Sequence, residues 1–152
     1  MESPLKHISP QSAVVDHPVW REITPEITPS DFNQPFEMDV GFLRWLYKSV
    51  RIPAGVPMWF TSDARDPEGD VGAKSSAHKK RPCRAVDFQV RKTWHGMPGS
   101  EQMARIIFAA VLGGCVRVGL YQSQSGLGDI GHIDCETHPD NPSPRLWLKW
   151  KI

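Results

Sequence analysis

The order of helical and strand-like segments is the feature that most limits how this chain of 152 residues can fold. Five segments are short apolar runs or alternate apolar and polar side chains, as β-strands do. They are residues 57–62, 85–90, 115–121, 130–135 and 146–150. One helical segment precedes the first of these strands, and another lies between the second and the third. We therefore predict an α+β fold, with a mainly antiparallel sheet and helices packed on one face.

Both helical segments have apolar residues at the spacing of an amphipathic helix. The first follows Asp39, whose side chain is a favoured N-cap, and ends at residues 53–55, which include a proline and a glycine. The second begins near Ser100 and ends at the pair Gly113-Gly114. The length of the chain fits one domain with a substantial core. The apolar stripes of both helices are predicted to line that core.

Residues 1–36 are proline-rich and lack apolar periodicity, which predicts an extended N-terminal arm. The chain accordingly divides into this arm and a domain over residues 37–152. The arm either packs across the domain or reaches a partner, such as another virion or lysis protein. Its aromatic residues Trp20, Phe32 and Phe36 favour packing, because exposed aromatic side chains usually find a surface.

The charge balance argues against two classes of partner. With 18 Lys and Arg residues and 17 Asp and Glu residues, the net charge is +1, so no overall field draws the chain to nucleic acid or to an anionic membrane. A local basic patch is the alternative, but it lacks a nucleic-acid-binding motif. That patch comprises Lys79, Lys80, Arg81, Arg84, Arg91 and Lys92. No segment has the apolar length that a membrane span requires.

Three residues have the composition of a catalytic zinc site: His78, Asp87 and His132. Two imidazoles and one carboxylate give Zn²⁺ three protein ligands and leave the fourth tetrahedral position for water, unlike a closed structural site. A His and an Asp at this spacing are common by chance, so the interpretation depends on the elements around them. The first two ligands flank one loop between two predicted strands. The pattern predicts metal-assisted hydrolysis.

Short motifs around these residues resemble those of the zinc D,D-peptidases, which cleave D-alanyl bonds in peptidoglycan. Residues 60–65 (Phe-Thr-Ser-Asp-Ala-Arg) are similar to the family's Thr-Ser-x-x-Arg at a strand end. Ser76-Ala77-His78 resembles its Ser-x-His motif, and Ala85-Val86-Asp87 its Ala-x-Asp motif. Later segments resemble the family's Gly-x-Tyr, His-x-Asp and Arg-x-Trp landmarks. They are, in that order, Gly119-Leu120-Tyr121, His132-Ile133-Asp134 and Arg145-Leu146-Trp147. The resemblance covers about residues 37–150, in the family's order.

The resemblance implies a Hedgehog/DD-peptidase-like fold and a zinc-dependent D,D-carboxypeptidase or endopeptidase that acts on peptidoglycan stem peptides or cross-links, such as a phage lysin. His78, Asp87 and His132 match the family's metal ligands. Eight residues separate His78 from Asp87, which is a longer loop than is usual in the family, and they include Lys79-Lys80-Arg81-Pro82. The alternative is a structural or virion-associated module that keeps the fold without catalysis.

Hydrolysis of an amide needs a carboxylate that moves a proton and a cation that stabilises the oxyanion. Asp129 and Asp134 are the two candidate bases. Asp129 fits the acid-x-x-His pattern of some family members, whereas Asp134 shares a strand face with His132 and is alternatively a group that supports the ligands. Arg65 is predicted to bind the oxyanion or a substrate carboxylate. Ser76 is predicted to bind substrate or to orient its loop.

The termini and the cysteines bear on the compartment. The N-terminus lacks the basic and then apolar pattern of a secretory signal peptide, so we expect cytoplasmic synthesis. Action on a cell wall then requires delivery by a lysis partner, within a virion or by a non-classical route. Cys83, Cys115 and Cys135 are odd in number and form no C-x-x-C pattern, which is typical of a reducing compartment. Since two of them lie close in sequence to candidate ligands, a thiolate ligand is an open alternative.

Overall fold

A five-stranded sheet forms the centre of the fold. The computed structural model describes residues 3–70, 76–115, 117–121 and 130–136, and the backbone of residues 145–149. The strands are β1 (Trp59–Ser62), β2 (Ala85–Gln89), β3 (Thr93–Trp94), β4 (Met97–Pro98), β5 (Arg117–Tyr121), β6 (Ile130–Asp134) and β7 (Arg145–Lys149). In the large sheet the order is β1-β2-β6-β5-β7, and all neighbours are antiparallel except β5 and β7. The predicted α+β class with a mainly antiparallel sheet is confirmed, and the β3–β4 hairpin is an addition to it.

The helices of the described residues are α1 (Val19–Ile23), α2 (Val40–Trp45), α3 (Ile52–Ala54) and α4 (Gly99–Leu112). A π-helical turn, Leu46–Arg51, joins α2 to α3. Asp39 is the N-cap of α2, since its Oδ1 accepts a hydrogen bond from the backbone N–H of Phe42 at 2.8 Å. Gly55 ends α3 in the left-handed region, with φ of 68°. The predicted cap Asp39 and the predicted ends of both helical segments are therefore confirmed, whereas the N-cap of α4 is Pro98 and not Gly99 or Ser100. None of the described helices is long and apolar enough to cross a membrane.

The two faces of the sheet differ sharply in polarity. Val86 and Phe88 of β2 and Ile133 of β6 are fully buried in the cluster that also contains Phe42 of α2 and Ile106 of α4. Asp87 and His132 occupy the intervening positions and are direct partners across the β2–β6 ladder. Because side chains alternate along a strand and direct partners share a face, both point away from that core. The alternation of side chains along β2 and β6 thus places the polar site on the face of the sheet opposite the helices.

The N-terminal segment is packed against the domain and is not an extended arm. Leu5, Val19 and Ile23 are almost completely buried in the common core. The ring of Phe32 stacks on Phe60 of β1, with 4.7 Å between ring centroids and an interplanar angle of 11°. Of the two alternatives for this segment, the structure has the packed one. Contact with virion or lysis proteins through it stays a prediction.

Gly131 of β6 lies directly opposite Phe88, and a side chain cannot be added there without a clash. A Cβ atom at this position would lie 2.7 Å from Cε1 of the Phe88 ring, which is fully buried. We expect Gly131→Ala to lower the free energy of unfolding by about 3 kcal/mol, since overpacking a filled core forces the backbone or the ring to shift. Urea denaturation measures this. Adding Phe88→Leu should recover part of the loss, and full stability of Gly131→Ala alone would be at odds with this packing.

Candidate metal centre

Three side chains from separate elements meet on the polar face of the sheet. His78 lies on a 3₁₀ turn, Ala77–Lys79, Asp87 is the central residue of β2, and His132 is the central residue of β6. Both histidines are buried, and the Asp87 side chain is 16% exposed. The three residues predicted as metal ligands are therefore brought together, with their ligand atoms within 4.8 Å of one another.

The spacing of the three ligand atoms fits a single ion. Nε2 of His78 lies 3.2 Å from Nδ1 of His132 and 3.4 Å from Oδ1 of Asp87, and Nδ1 of His132 lies 2.7 Å from the same oxygen. Ligands placed about 2.0–2.1 Å from an ion at tetrahedral angles are about 3.4 Å apart. Two of the three separations match this value and the third is shorter. The group could therefore bind a metal ion after a small opening of the His132–Asp87 contact.

The ring of His78 is fixed by the loop that follows β1. Its Nδ1 lies 2.7 Å from the carbonyl oxygen of Asp63. A carbonyl only accepts hydrogen bonds, so Nδ1 carries the proton and Nε2 presents its lone pair to the centre. The carboxylate of Asp63 in turn accepts the backbone N–H groups of Asn33 at 2.8 Å and Gln34 at 2.9 Å. This links the N-terminal segment to a candidate ligand through one residue, Asp63.

The ring of His132 is held from its far side by a buried ion pair. Its Nε2 lies 2.8 Å from Oδ2 of Asp134, and Oδ1 of Asp134 is 2.6 Å from Nε of Arg117. The side chains of Asp134 and Arg117 are 1% and 4% exposed. Both Asp134 oxygens are thus hydrogen-bonded away from the ligand atoms. This geometry favours the supporting role for Asp134 over that of a base, as outer carboxylates commonly orient metal-binding histidines.

The other predicted site residues have different positions. Arg65 donates from Nη2 to Oδ2 of Asp87 at 3.1 Å and from Nε to Ser62 at 3.0 Å, so its guanidinium adjoins the candidate centre. The hydroxyl of Ser76 accepts the backbone N–H of His78 at 3.3 Å and caps the 3₁₀ turn, which orients the loop. Asp129, the second candidate base, lies outside the described residues.

The charges around the centre are strongly coupled in the metal-free protein. Burial raises the pKa of Asp87, but the hydrogen bond from His132 and the adjoining ring of His78 outweigh it and hold this pKa far below its ordinary range. Burial lowers the pKa of His132, but hydrogen bonds to Asp134 and Asp87 outweigh it and raise this pKa to about 9. Without metal, His132 is therefore an imidazolium between two carboxylates at neutral pH.

The long loop between the first two candidate ligands is fastened by its own basic residues. Lys79 is buried and donates from Nζ to the carbonyl of Gly69 at 2.7 Å. The guanidinium of Arg81 donates to the carbonyls of His78 and Arg65 and lies 3.3 Å from the carboxylate of Glu37. The positive charges of Lys79 and Arg81 therefore hold backbone in place, which accounts for two members of the predicted basic patch.

The cysteines do not join the candidate centre. Within the described part of the chain, the metal-binding group contains only His and Asp residues. The three cysteines are buried free thiols. Burial raises the pKa of Cys83 to about 12, and its thiol donates to the carbonyl of Ala85 at 3.5 Å. A thiolate ligand is thus not part of this arrangement.

Two residues of the site were missed by the sequence-based prediction. Arg117 had a visible signal, since it is a cation at an alternating position of a predicted apolar strand and such a residue needs a buried partner. Its partner Asp134 lies opposite it in the β5–β6 register. Asp63 gave no such signal. Its carboxylate accepts a hydrogen bond from the backbone N–H of Asn33 and its carbonyl accepts one from the ring of His78, and both partners are distant from it in sequence.

Comparisons with protein-family models, with curated proteins and with solved structures found no match to this chain. The function is therefore inferred from the candidate metal centre and its surroundings, together with the motifs in the sequence.

Proposed function

We propose that this protein is a zinc-dependent hydrolase of peptide bonds in bacterial peptidoglycan, with D,D-carboxypeptidase or endopeptidase action, on a Hedgehog/DD-peptidase-like fold. The observation that carries the proposal is the convergence of His78, Asp87 and His132, with the outer ring nitrogen of each histidine held by a hydrogen bond. The motifs that resemble the zinc D,D-peptidases surround the same three residues.

The donor set favours a transition metal such as zinc over magnesium or calcium. Two imidazole nitrogens and one carboxylate oxygen suit Zn²⁺, whereas Mg²⁺ and Ca²⁺ prefer oxygen ligands alone. A zinc ion held by three protein ligands supplies an acidified water and polarises a scissile carbonyl. Asp63 and Asp134 keep the two imidazoles in the orientation that directs one nitrogen of each to the ion.

Arg65 is the residue best placed to bind negative charge beside the reaction. Its Nε and Nη2 are engaged by Ser62 and Asp87, and Nη1 makes no hydrogen bond to the described residues. This nitrogen would donate to the developing oxyanion or to a substrate carboxylate. With both Asp134 oxygens occupied, Asp129 is the proposed base that takes up a proton and returns it to the leaving amine. Its place three residues before His132 is the basis for that role.

Metal content and peptidoglycan digestion test the proposal together. We expect about one zinc per chain by elemental analysis, and release of stem-peptide fragments that mass spectrometry identifies. His78→Ala and His132→Ala should lose both the zinc and the products. His7→Ala is the matched control, because it removes an exposed imidazole outside the candidate centre. Absence of zinc in the wild type after loading would instead support the non-catalytic, virion-associated module.

A further inference from the structure

A second feature lies on the polar face of the sheet, beyond the candidate metal centre. A shallow pocket of about 430 Å³ opens at the end of β2 and is lined by Trp59, Gln89 and residues 90–93. Trp59 is 38% exposed although it lies on a strand of the central sheet. A large aromatic side chain left open beside a concave surface is typical of a ligand site.

The pocket contains two cations. The guanidinium of Arg91 lies 4.5 Å from the centroid of the Trp59 ring, a cation–π contact that limits where it can point. Lys92 follows it directly and is exposed. Neither side chain forms an ion pair with the residues that the structure describes. The pocket therefore carries positive charge that no carboxylate of the described residues pairs, which suits an anionic ligand.

The backbone that bears these cations is fixed from the core side. Gln102 of α4, fully buried, donates from Nε2 to the carbonyl of Arg91 at 3.0 Å. The N–H of Gly99 donates to the carbonyl of Lys92 at 2.9 Å. A binding group on fixed backbone loses little conformational entropy when it engages a ligand. The turn after β2 is thus held in position before any ligand arrives.

The pocket and the candidate metal centre share one face of the sheet. Gln89 follows Asp87 by two residues on β2, so both side chains point to the same face, about 6.7 Å apart along the strand. Trp59 is the direct partner of Gln89 on β1. An extended peptide on this face with its scissile amide at His78, Asp87 and His132 would reach the pocket about two residues away.

We infer that this pocket is a substrate subsite that binds a carboxylate of an extended anionic peptide. Arg91 supplies a two-pronged hydrogen bond to the carboxylate, Lys92 adds a second positive charge, and Trp59 contacts the adjoining aliphatic part of the peptide. The inference rests on the proposed peptidase function and specifies its substrate: peptides with a free carboxylate near the cleaved bond bind better than their neutral counterparts.

Binding of a matched pair of peptides tests the subsite without requiring hydrolysis. The probes are a synthetic peptidoglycan stem peptide with its side carboxylates free and the same peptide with them converted to carboxamides, with identical termini. Titration calorimetry on the metal-free full chain should show about tenfold tighter binding of the carboxylate form, as expected for one charged hydrogen-bonded contact. In Arg91→Gln the two peptides should bind equally. The control Arg105→Gln removes an exposed arginine on α4 and should keep the preference.

Kinetics of the zinc-loaded protein separates this inference from the proposed function. If the free-carboxylate peptide is cleaved, Arg91→Gln should raise KM about tenfold and leave kcat unchanged, since the contact is remote from the cleaved bond. Cleavage with equal KM in wild type and Arg91→Gln would overturn the subsite and leave the peptidase function standing. A preference lost in Arg91→Gln but no cleavage would support the subsite and refute the peptidase function. Equal binding of both probes to the wild type would also overturn the subsite.

Discussion

Replacing Arg117 by methionine is expected to lower the free energy of unfolding by about 3 kcal/mol, because the buried Asp134 carboxylate would lose the guanidinium and keep only the His132 ring as a cationic partner. The two side chains are 4% and 1% exposed, and the Nε–Oδ1 distance is 2.6 Å. Water cannot take the place of the guanidinium at this depth without opening the sheet. Chemical denaturation of the metal-free protein measures the loss.

An exposed ion pair in the same chain gives the matched control. Arg105 and Glu101 form an i, i+4 pair on α4 at 3.3 Å, with both side chains about half exposed. Arg105→Met should cost only about 0.3–0.5 kcal/mol. Adding Asp134→Asn to Arg117→Met removes the buried charge and should recover part of the loss. A loss below about 1 kcal/mol in Arg117→Met would show that Asp134 is neutral or solvated in the folded protein.

Local sequence patterns were enough to predict most of the regular structure. The apolar alternation of residues 85–90 and 130–135 gave β2 and β6, and the side-chain oxygen of Asp39 gave the start of α2. These signals are local, because strand period and capping depend on residues only a few positions apart. The packing of residues 3–36 could not be read in the same way, since its prolines suit either an extended or a folded path.

The sequence was enough to predict the candidate metal ligands, but not the residues that hold them in position. His78, Asp87 and His132 were identified by residue type and by short motifs, and the β2–β6 register then brings Asp87 opposite His132. The roles of Asp63 and Arg117 depend on hydrogen bonds to residues 15 and 17 positions away. Such contacts arise from how strands and loops pack, and no short motif encodes them. The sequence also left open which ring nitrogen of His132 would meet Asp134. In the structure it is Nε2, whereas Nδ1 meets Asp87.

The proposed zinc site is expected to gain affinity about tenfold for each pH unit between pH 7 and pH 9, because the ion would have to displace a proton from Nδ1 of His132. The pKa of His132 is raised to about 9 in the metal-free protein by hydrogen bonds to Asp134 and Asp87. Below that pH the imidazolium competes with the metal, and above it the competition ends. Calorimetry in buffers of different ionisation enthalpy should find close to one proton released per zinc bound at pH 7.

The raised pKa of His132 also determines how the stability of the metal-free protein changes with pH. A pKa raised by folding means that protonated His132 stabilises the native state, fully below its ordinary value of 6.5 and no longer once the pH has risen through about 9. The free energy of unfolding of the metal-free protein should therefore fall across this window, while zinc affinity rises. Asp134→Asn removes one of the two carboxylates that raise the pKa, so it should reduce both the pH dependence and the proton release. Zinc binding that is independent of pH between 7 and 9 would mean that His132 is already neutral, and that its two carboxylate contacts do not hold a proton on the ring.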